Sequence, residues 1–160
     1  MPLPSALAAP NRYRFRATWT FAVTPDVLYA CLEIPEDYPS WWPQVREARR
    51  VGADSGTFRI RSLLPYELVF TAHDASRDPL ARTLEMTMGG DLEGWARWTV
   101  LPYGRTGSQA RFEQDVEVRK PLMRRFAIPA RPLFLANHAW MMRAGRRGLR
   151  TRLEAGADRI

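Results

Sequence analysis

Cysteine occurs once in this 160-residue chain, at Cys31, and lysine once, at Lys120. A single cysteine excludes an internal disulfide and a cysteine-based metal site. There are two histidines, His73 and His138, far apart in the chain. No pair of metal ligands therefore stands at helical or turn spacing, and no metal or other cofactor is expected. No run of about 18 apolar residues is present, which excludes a transmembrane helix. The opening "MPLPSALAAP" ends in small residues, but no basic residue precedes them, and Pro2 and Pro4 interrupt any apolar core. It reads as a disordered leader, residues 1–11, and not as a signal peptide, so the expectation is a cytoplasmic protein.

What is present suits one globular unit. The hydrophobic fraction is 46%, and a chain of this length buries roughly 70% of the surface it exposes when unfolded. The expected domain is 12–155, with a short tail at 156–160. The net charge is +7, and all but one of the 24 basic residues are arginine. Arginine grips phosphates and carboxylates through two parallel hydrogen bonds, which brings nucleic acid and anionic surfaces into consideration. A lysine-to-arginine replacement this complete, spread along most of the chain, reads first as the codon bias of a GC-rich genome. Nucleic acid is accordingly the less favoured partner.

The polarity pattern sets the elements. In "YRFRATWTF", Tyr13, Phe15, Ala17, Trp19 and Phe21 alternate with arginines and threonines, which is the period of a strand with one apolar face. "TPDVLYACLEI" follows, with Thr24 as helix cap, Pro25 at the first helical position and Asp26 in the first turn. A second short helix or turn is expected near Ser40 to Trp42. Strand signals then come in series: residues 45–51; "GTFRIRSLL", with Phe58, Ile60 and Ser62 on one face; "YELVFTAHD"; "ARTLEMTMGG", with Leu84, Met86 and Met88 on one face; "LEGWARWTVLPYG"; and "SQARFEQDVEV", with Phe112, Gln114, Val116 and Val118 inward. Strands joined by short turns make an antiparallel meander. A long helix is expected from about Pro132 to near Ala155. One face holds Phe134, His138, Met141, Gly145, Gly148 and Leu149, and the other holds Arg143, Arg146, Arg147 and Arg150. Two glycines on the apolar face cost roughly 1 kcal/mol each relative to alanine, so close approach of another surface, taken to be the sheet, is expected there.

The stretch "EDYPSWWPQVREARRV" poses a question of its own. Trp41 and Trp42 stand together between Pro39 and Pro43. Rings of this size close the edge of a core when something covers them.

The order of these elements resembles the helix-grip fold of the START-like, or SRPBCC, superfamily. The carriers are "TPDVLYACLEIPEDYPSWWPQV", "GWARWTVLPYG" and "ARFEQDVEV" leading into the connector and last helix. The resemblance implies an α+β fold in which a curved antiparallel sheet of about seven strands grips a long C-terminal helix, with two short helices after strand 1. It implies a cavity between sheet and helix that takes a hydrophobic small molecule, such as a lipid or an aromatic polyketide. Its expected wall is Trp19, Trp42, Phe58, Ser62, Phe70, Met86, Met88, Trp98, Phe112, Gln114, Asn137, His138 and Met141. Trp41, Met123 and Phe126 are expected at the lid or mouth.

Polar residues on apolar faces carry the chemistry, here Ser62, Gln114, Asn137 and His138. Gln114, between Phe112 and Val116, is the candidate polar hook, and Gln114 with His138 forms the candidate catalytic set. Aromatic polyketide cyclases, which the chain resembles, place an arginine on the strand matching "FTAHD" and a tyrosine just after the tryptophan loop. Those positions are Asp74 and Val45 here, and neither side chain can polarise a carbonyl. Three readings stand: a binding protein, a polyketide cyclase or dehydratase with a different polar set, and a basic module that contacts ribosomes or RNA. For the third, Trp95 and Arg97 share a strand face. The connector "RKPLMRRFAIPARP" mixes Lys120, Arg124, Arg125 and Arg131 with Leu122, Met123, Phe126 and Ile128. Its prolines are expected to keep it irregular, and its composition suits either a lid over the ligand or an anionic membrane surface.

Overall fold

The computed structural model describes residues 11–61 and 63–157. Strand β1 (Arg12–Phe21) leads into helix α1 (Pro25–Leu32), a 3-10 turn (Pro35–Asp37) and helix α2 (Tyr38–Trp41). Strands β2 (Val45–Arg50), β3 (Ser55–Arg61), β4 (Glu67–Asp78), β5 (Thr83–Gly90), β6 (Leu92–Tyr103) and β7 (Gly107–Val118) follow. Helices α3 (Pro121–Arg125) and α4 (Arg131–Ala157) end the described chain. The strands form one antiparallel sheet in the order β1-β7-β6-β5-β4-β3-β2. Each neighbour from β2 to β7 is next in sequence, so only β1 crosses over to reach β7. Irregular register between Val45 and Glu47 and between Asp74 and Ser76 adds bends, which increase the local twist of a sheet that must wrap a helix.

The expected alternation decides which side of the sheet is apolar. Tyr13, Trp19 and Phe21 of β1 are buried while Arg12, Arg14 and Arg16 are exposed. On β7 the residues Ala110, Phe112, Gln114, Val116 and Val118 are all buried. The outer face is laced with ion pairs between strands, among them Arg12 and Arg14 on Asp115, Arg97 on Glu85, and Arg59 on Glu47 and Glu67. Helix α1 opens as its sequence predicts: the Thr24 side chain accepts from the Val27 amide, and Pro25 sits in the first turn. The β6–β7 turn passes through Gly104 at φ 65°, a left-handed conformation that glycine adopts without penalty.

Three boundaries differ from expectation. Asn11 belongs to the fold and not to a leader: it is buried, and its amide donates to Glu117 Oε1 and to the Val118 carbonyl. The rest of the expected leader, residues 1–10, lies outside the described residues, as do residues 158–160 of the expected tail. The long helix continues through Gly156 to Ala157. The connector is not irregular throughout, because Pro121–Arg125 forms a helix. Proline is tolerated in the first helical turn, where its missing N–H has no partner to lose.

The paired tryptophans are core. Trp41 and Trp42 are 5% and 6% exposed. They stack on each other at 5.5 Å, and both meet Trp19, with centroids at 6.5 and 5.5 Å. Trp42 Nε1 donates to the Met141 carbonyl of α4 at 2.9 Å. Gly145 and Gly148 of α4 face this loop and not the sheet. A Cβ on Gly145 would stand 2.5 Å from Trp42 Cε2, and one on Gly148 would overlap the Trp41 carbonyl oxygen. The tryptophan loop is thus the seat on which the long helix rests.

Candidate functional site: an apolar cavity between sheet and helix

The seat holds α4 off the sheet along its first turns, and a partly open cavity of about 130 Å³ remains between them. Phe58 and Ile60 of β3, Phe70 of β4, Met86 and Met88 of β5, Trp98 of β6 and Phe112 of β7 form the sheet wall. Phe134, Met141 and Met142 of α4 form the roof. Met123 of α3 and Tyr66 also line it, and Tyr66 meets Phe134 edge to face at 6.1 Å. Trp42 and Tyr38 contribute near Trp98. An apolar cavity of roughly this volume stays dry and holds one benzene-sized ring. A broader concavity of about 550 Å³ lies between the end of β1, the β6–β7 turn and the last turns of α4. It is more open to solvent and lacks an apolar enclosure.

Few polar groups face the cavity. With its amide oriented to give an N–H to Met88 Sδ at 3.6 Å, Gln114 presents Oε1 to His138 Nε2 at 3.3 Å. That contact makes Nε2 the protonated nitrogen of a neutral imidazole. The ring stacks on Phe15 at 3.4 Å between centroids, and burial pushes its pKa down to about 4. Asn137, one residue earlier, has its Oδ1 buried without a hydrogen-bond partner. Tyr66 is pushed up to about 12 by burial and by neighbouring Tyr13. Burial also raises Tyr13, against the opposing charge of Arg131, whose guanidinium lies 4.4 Å from the ring centre. Both phenols therefore stay protonated at neutral pH.

Most of the expected wall residues come together: Trp42, Phe58, Phe70, Met86, Met88, Trp98, Phe112, Gln114, Asn137, His138 and Met141 all line the cavity, as does Met123. Trp19 does not. It is buried beneath Trp41, Trp42 and Trp98, four residues or about 13 Å along β1 from Phe15. Trp41 is not at a mouth, since α2 turns it into the core beside Trp19 and Tyr38. Phe126 is exposed, because α3 points Met123 inward and Leu122 and Phe126 outward. Ser62 lies outside the described residues. Val45 lines the cavity, whereas Asp74 is exposed and pairs with Arg77.

Tyr13, Phe15 and Tyr66 were missed as site residues. The alternation of β1 carried a signal for the first two, since they share the inner face with Trp19. Of the other candidates, His73 is exposed. Arg97 lies 5.0 Å from the ring centre of Trp95 but is held by Glu85. Among the described residues no three metal-ligating side chains cluster, and no helix is long and apolar enough to cross a membrane.

A curved sheet that grips a long helix over an apolar hollow is the helix-grip architecture. The model of the family described as polyketide cyclase / dehydrase and lipid transport matches residues 12–158. The chain belongs to that family. Among solved structures, the protein TTHA0849 from Thermus thermophilus superposes with a TM-score of 0.77 at 17% identity, over 90% of this chain and 99% of that one. A START superfamily protein from Mycobacterium smegmatis gives 0.72 at 14% identity, over 89% and 97%. The ZhuI aromatase/cyclase from a Streptomyces species gives 0.73 at 13% identity, over 89% and 94%. At these identities the likeness concerns the fold. No curated protein matches the sequence.

Proposed function

We propose that the protein binds a small hydrophobic molecule in the cavity between sheet and α4, and that this ligand is an apolar ring bearing a hydroxyl or N–H donor. The observation that carries the reading is Asn137 Oδ1, a buried acceptor with no hydrogen-bond partner on the wall of a mostly apolar cavity. A buried acceptor left unpaired costs about 1–3 kcal/mol, which a donor on the ligand recovers. The family's description, which spans lipid transport as well as cyclisation, supports a hydrophobic ligand of this kind. The test is calorimetric titration with 4-ethylphenol and with ethylbenzene. The phenol binds more tightly, and Asn137→Leu removes the difference. Equal affinity of the two in the wild type contradicts the reading.

A polyketide cyclase or dehydratase activity is the second reading, and the phenols of Tyr13 and Tyr66 favour it. Both remain protonated and can donate to an oxygen that gains enolate charge. His138 fits the role of general base poorly, since a pKa of about 4 lies far below neutral pH. The check is aromatisation of a poly-β-ketone thioester. Turnover that Tyr66→Phe abolishes without loss of binding supports an enzyme, and absence of turnover removes this reading.

A further inference from the structure

From Val118 to Leu153 the chain carries ten of its 24 basic residues and none of its 17 acidic ones. The rest of the chain holds 14 basic against 17 acidic residues, so the positive excess belongs entirely to α3, α4 and their connector. Lys120 and Arg119 are tied to Asp91, Glu93 and Glu117, and Arg152 is tied to Asp37. Six arginines, Arg124, Arg125, Arg143, Arg146, Arg147 and Arg150, have no acidic partner among the described residues and are all exposed. On the outer sheet face, by contrast, carboxylates answer most of the arginines, among them Arg12, Arg14, Arg59 and Arg97. A codon bias explains why these residues are arginine but not why this segment holds no carboxylate from Val118 to Leu153.

The same segment concentrates exposed apolar surface. Of the large hydrophobic residues that are exposed, Leu122, Phe126, Ile128, Leu133, Leu135 and Trp140 all fall within it. At 100° per residue, Leu133 and Trp140 lie 20° apart on one flank of the outer face of α4, Leu135 lies on the other flank, and the four unpaired arginines of the helix occupy the arc between them. Arg125 lies against the Phe126 ring and Arg147 against the Trp140 ring, 5.9 Å from each centre. Their cations thus stand beside apolar surface.

We propose that α3, the connector and the outer face of α4 form a docking surface for an anionic lipid bilayer. The arginines meet headgroup phosphates, and the aliphatic residues enter the boundary between headgroups and acyl chains. Nucleic acid fits less well. Base stacking uses aromatic faces, while Leu122, Ile128, Leu133 and Leu135 are aliphatic and would lie wet against a polyanion. α3 turns Met123 into the cavity and Leu122 and Phe126 out of it. The surface therefore sits at the cavity's end, where a hydrophobic ligand passes between bilayer and protein without crossing water.

The test is co-sedimentation of the full chain with vesicles of phosphatidylcholine alone and with rising phosphatidylglycerol. The expected result is binding only to the phosphatidylglycerol vesicles, weakened by added salt. Arg124→Gln with Arg125→Gln lowers partitioning roughly 30-fold, and Ile128→Ser lowers it roughly tenfold. Ile128 is 75% exposed, so the fold tolerates its change, and an unshifted melting temperature confirms this. The proposal is overturned if phosphatidylglycerol vesicles bind nothing at low salt, or if either variant binds like the wild type. It is equally overturned if the surface instead binds duplex RNA without vesicles, or closes on a second copy in a dimer that Ile128→Ser dissolves. Ligand titration reads the cavity separately, so failure of the surface leaves the cavity reading standing.

Discussion

Replacing Gly148 by alanine tests how α4 is seated. Three glycines of this helix differ in what faces them. A Cβ on Gly148 would overlap the carbonyl oxygen of Trp41, one on Gly145 would stand 2.5 Å from the Trp42 ring, and one on Gly156 would meet nothing within 4 Å. Alanine in a helix is favoured over glycine by about 1 kcal/mol. At Gly156, in the last turn, Gly156→Ala should therefore stabilise by a few tenths to about 1 kcal/mol. At Gly148 the obstacle is backbone of a buried residue, which cannot rotate aside, and overpacking of this kind costs about 1–3 kcal/mol. After the propensity gain, Gly148→Ala should destabilise by up to about 2 kcal/mol. Gly145→Ala should fall between the two, since the Trp42 ring has some room to tilt. Urea denaturation followed by tryptophan fluorescence measures all three. A Gly148→Ala variant as stable as Gly156→Ala would refute the seat and the helix placement that depends on it.

The acid limb of stability should carry the signature of His138. Its pKa in the fold is about 4 against an ordinary 6.5. The unfolded chain therefore takes up a proton first as the pH falls. The contribution is complete above about pH 6.5, is lost between there and pH 4, and totals about 3 kcal/mol; His138→Gln should flatten this segment of the profile, and an unaltered slope contradicts the buried neutral ring. Met141→Trp should fill the cavity and abolish binding of 4-ethylphenol, with the far-ultraviolet circular dichroism of the wild type retained; undiminished affinity would place the ligand elsewhere. Met123→Ala should speed ligand release in stopped-flow displacement, whereas Phe126→Ala should not, because only Met123 faces the cavity. Equal effects of the two would return Phe126 to the lid.

Much of the fold was legible because a sheet buried on one face writes its register into the sequence. Arginine alternates with aromatics through β1, and carboxylates alternate with Phe112, Gln114, Val116 and Val118 through β7. Alternation fixes the face but not the depth along it, which is why Trp19 was expected in the cavity and lies instead beneath the tryptophan seat. The glycines of α4 announced a close approach, but helical period alone does not say which surface approaches. α3 left no periodic trace, since five residues with a single inward side chain are too short to show one. The prolines of the connector read as breakers, although Pro121 opens the helix. Asn137 and His138 both stand out in the sequence as inward polar residues on an otherwise apolar face. What the sequence could not carry is the missing partner of Asn137 Oδ1, because that depends on what every neighbouring element fails to offer.

The chain has six methionines, and Met86, Met88, Met123, Met141 and Met142 all line the cavity. Selective ¹³C labelling of methionine methyl groups therefore reads the proposed binding site from five positions at once. On titration with 4-ethylphenol these five signals should shift together along one saturable curve, and Met141→Trp should abolish the response of the other four. Saturable binding that leaves the cavity methyls unmoved would contradict the claim that the space between sheet and α4 is where the ligand resides.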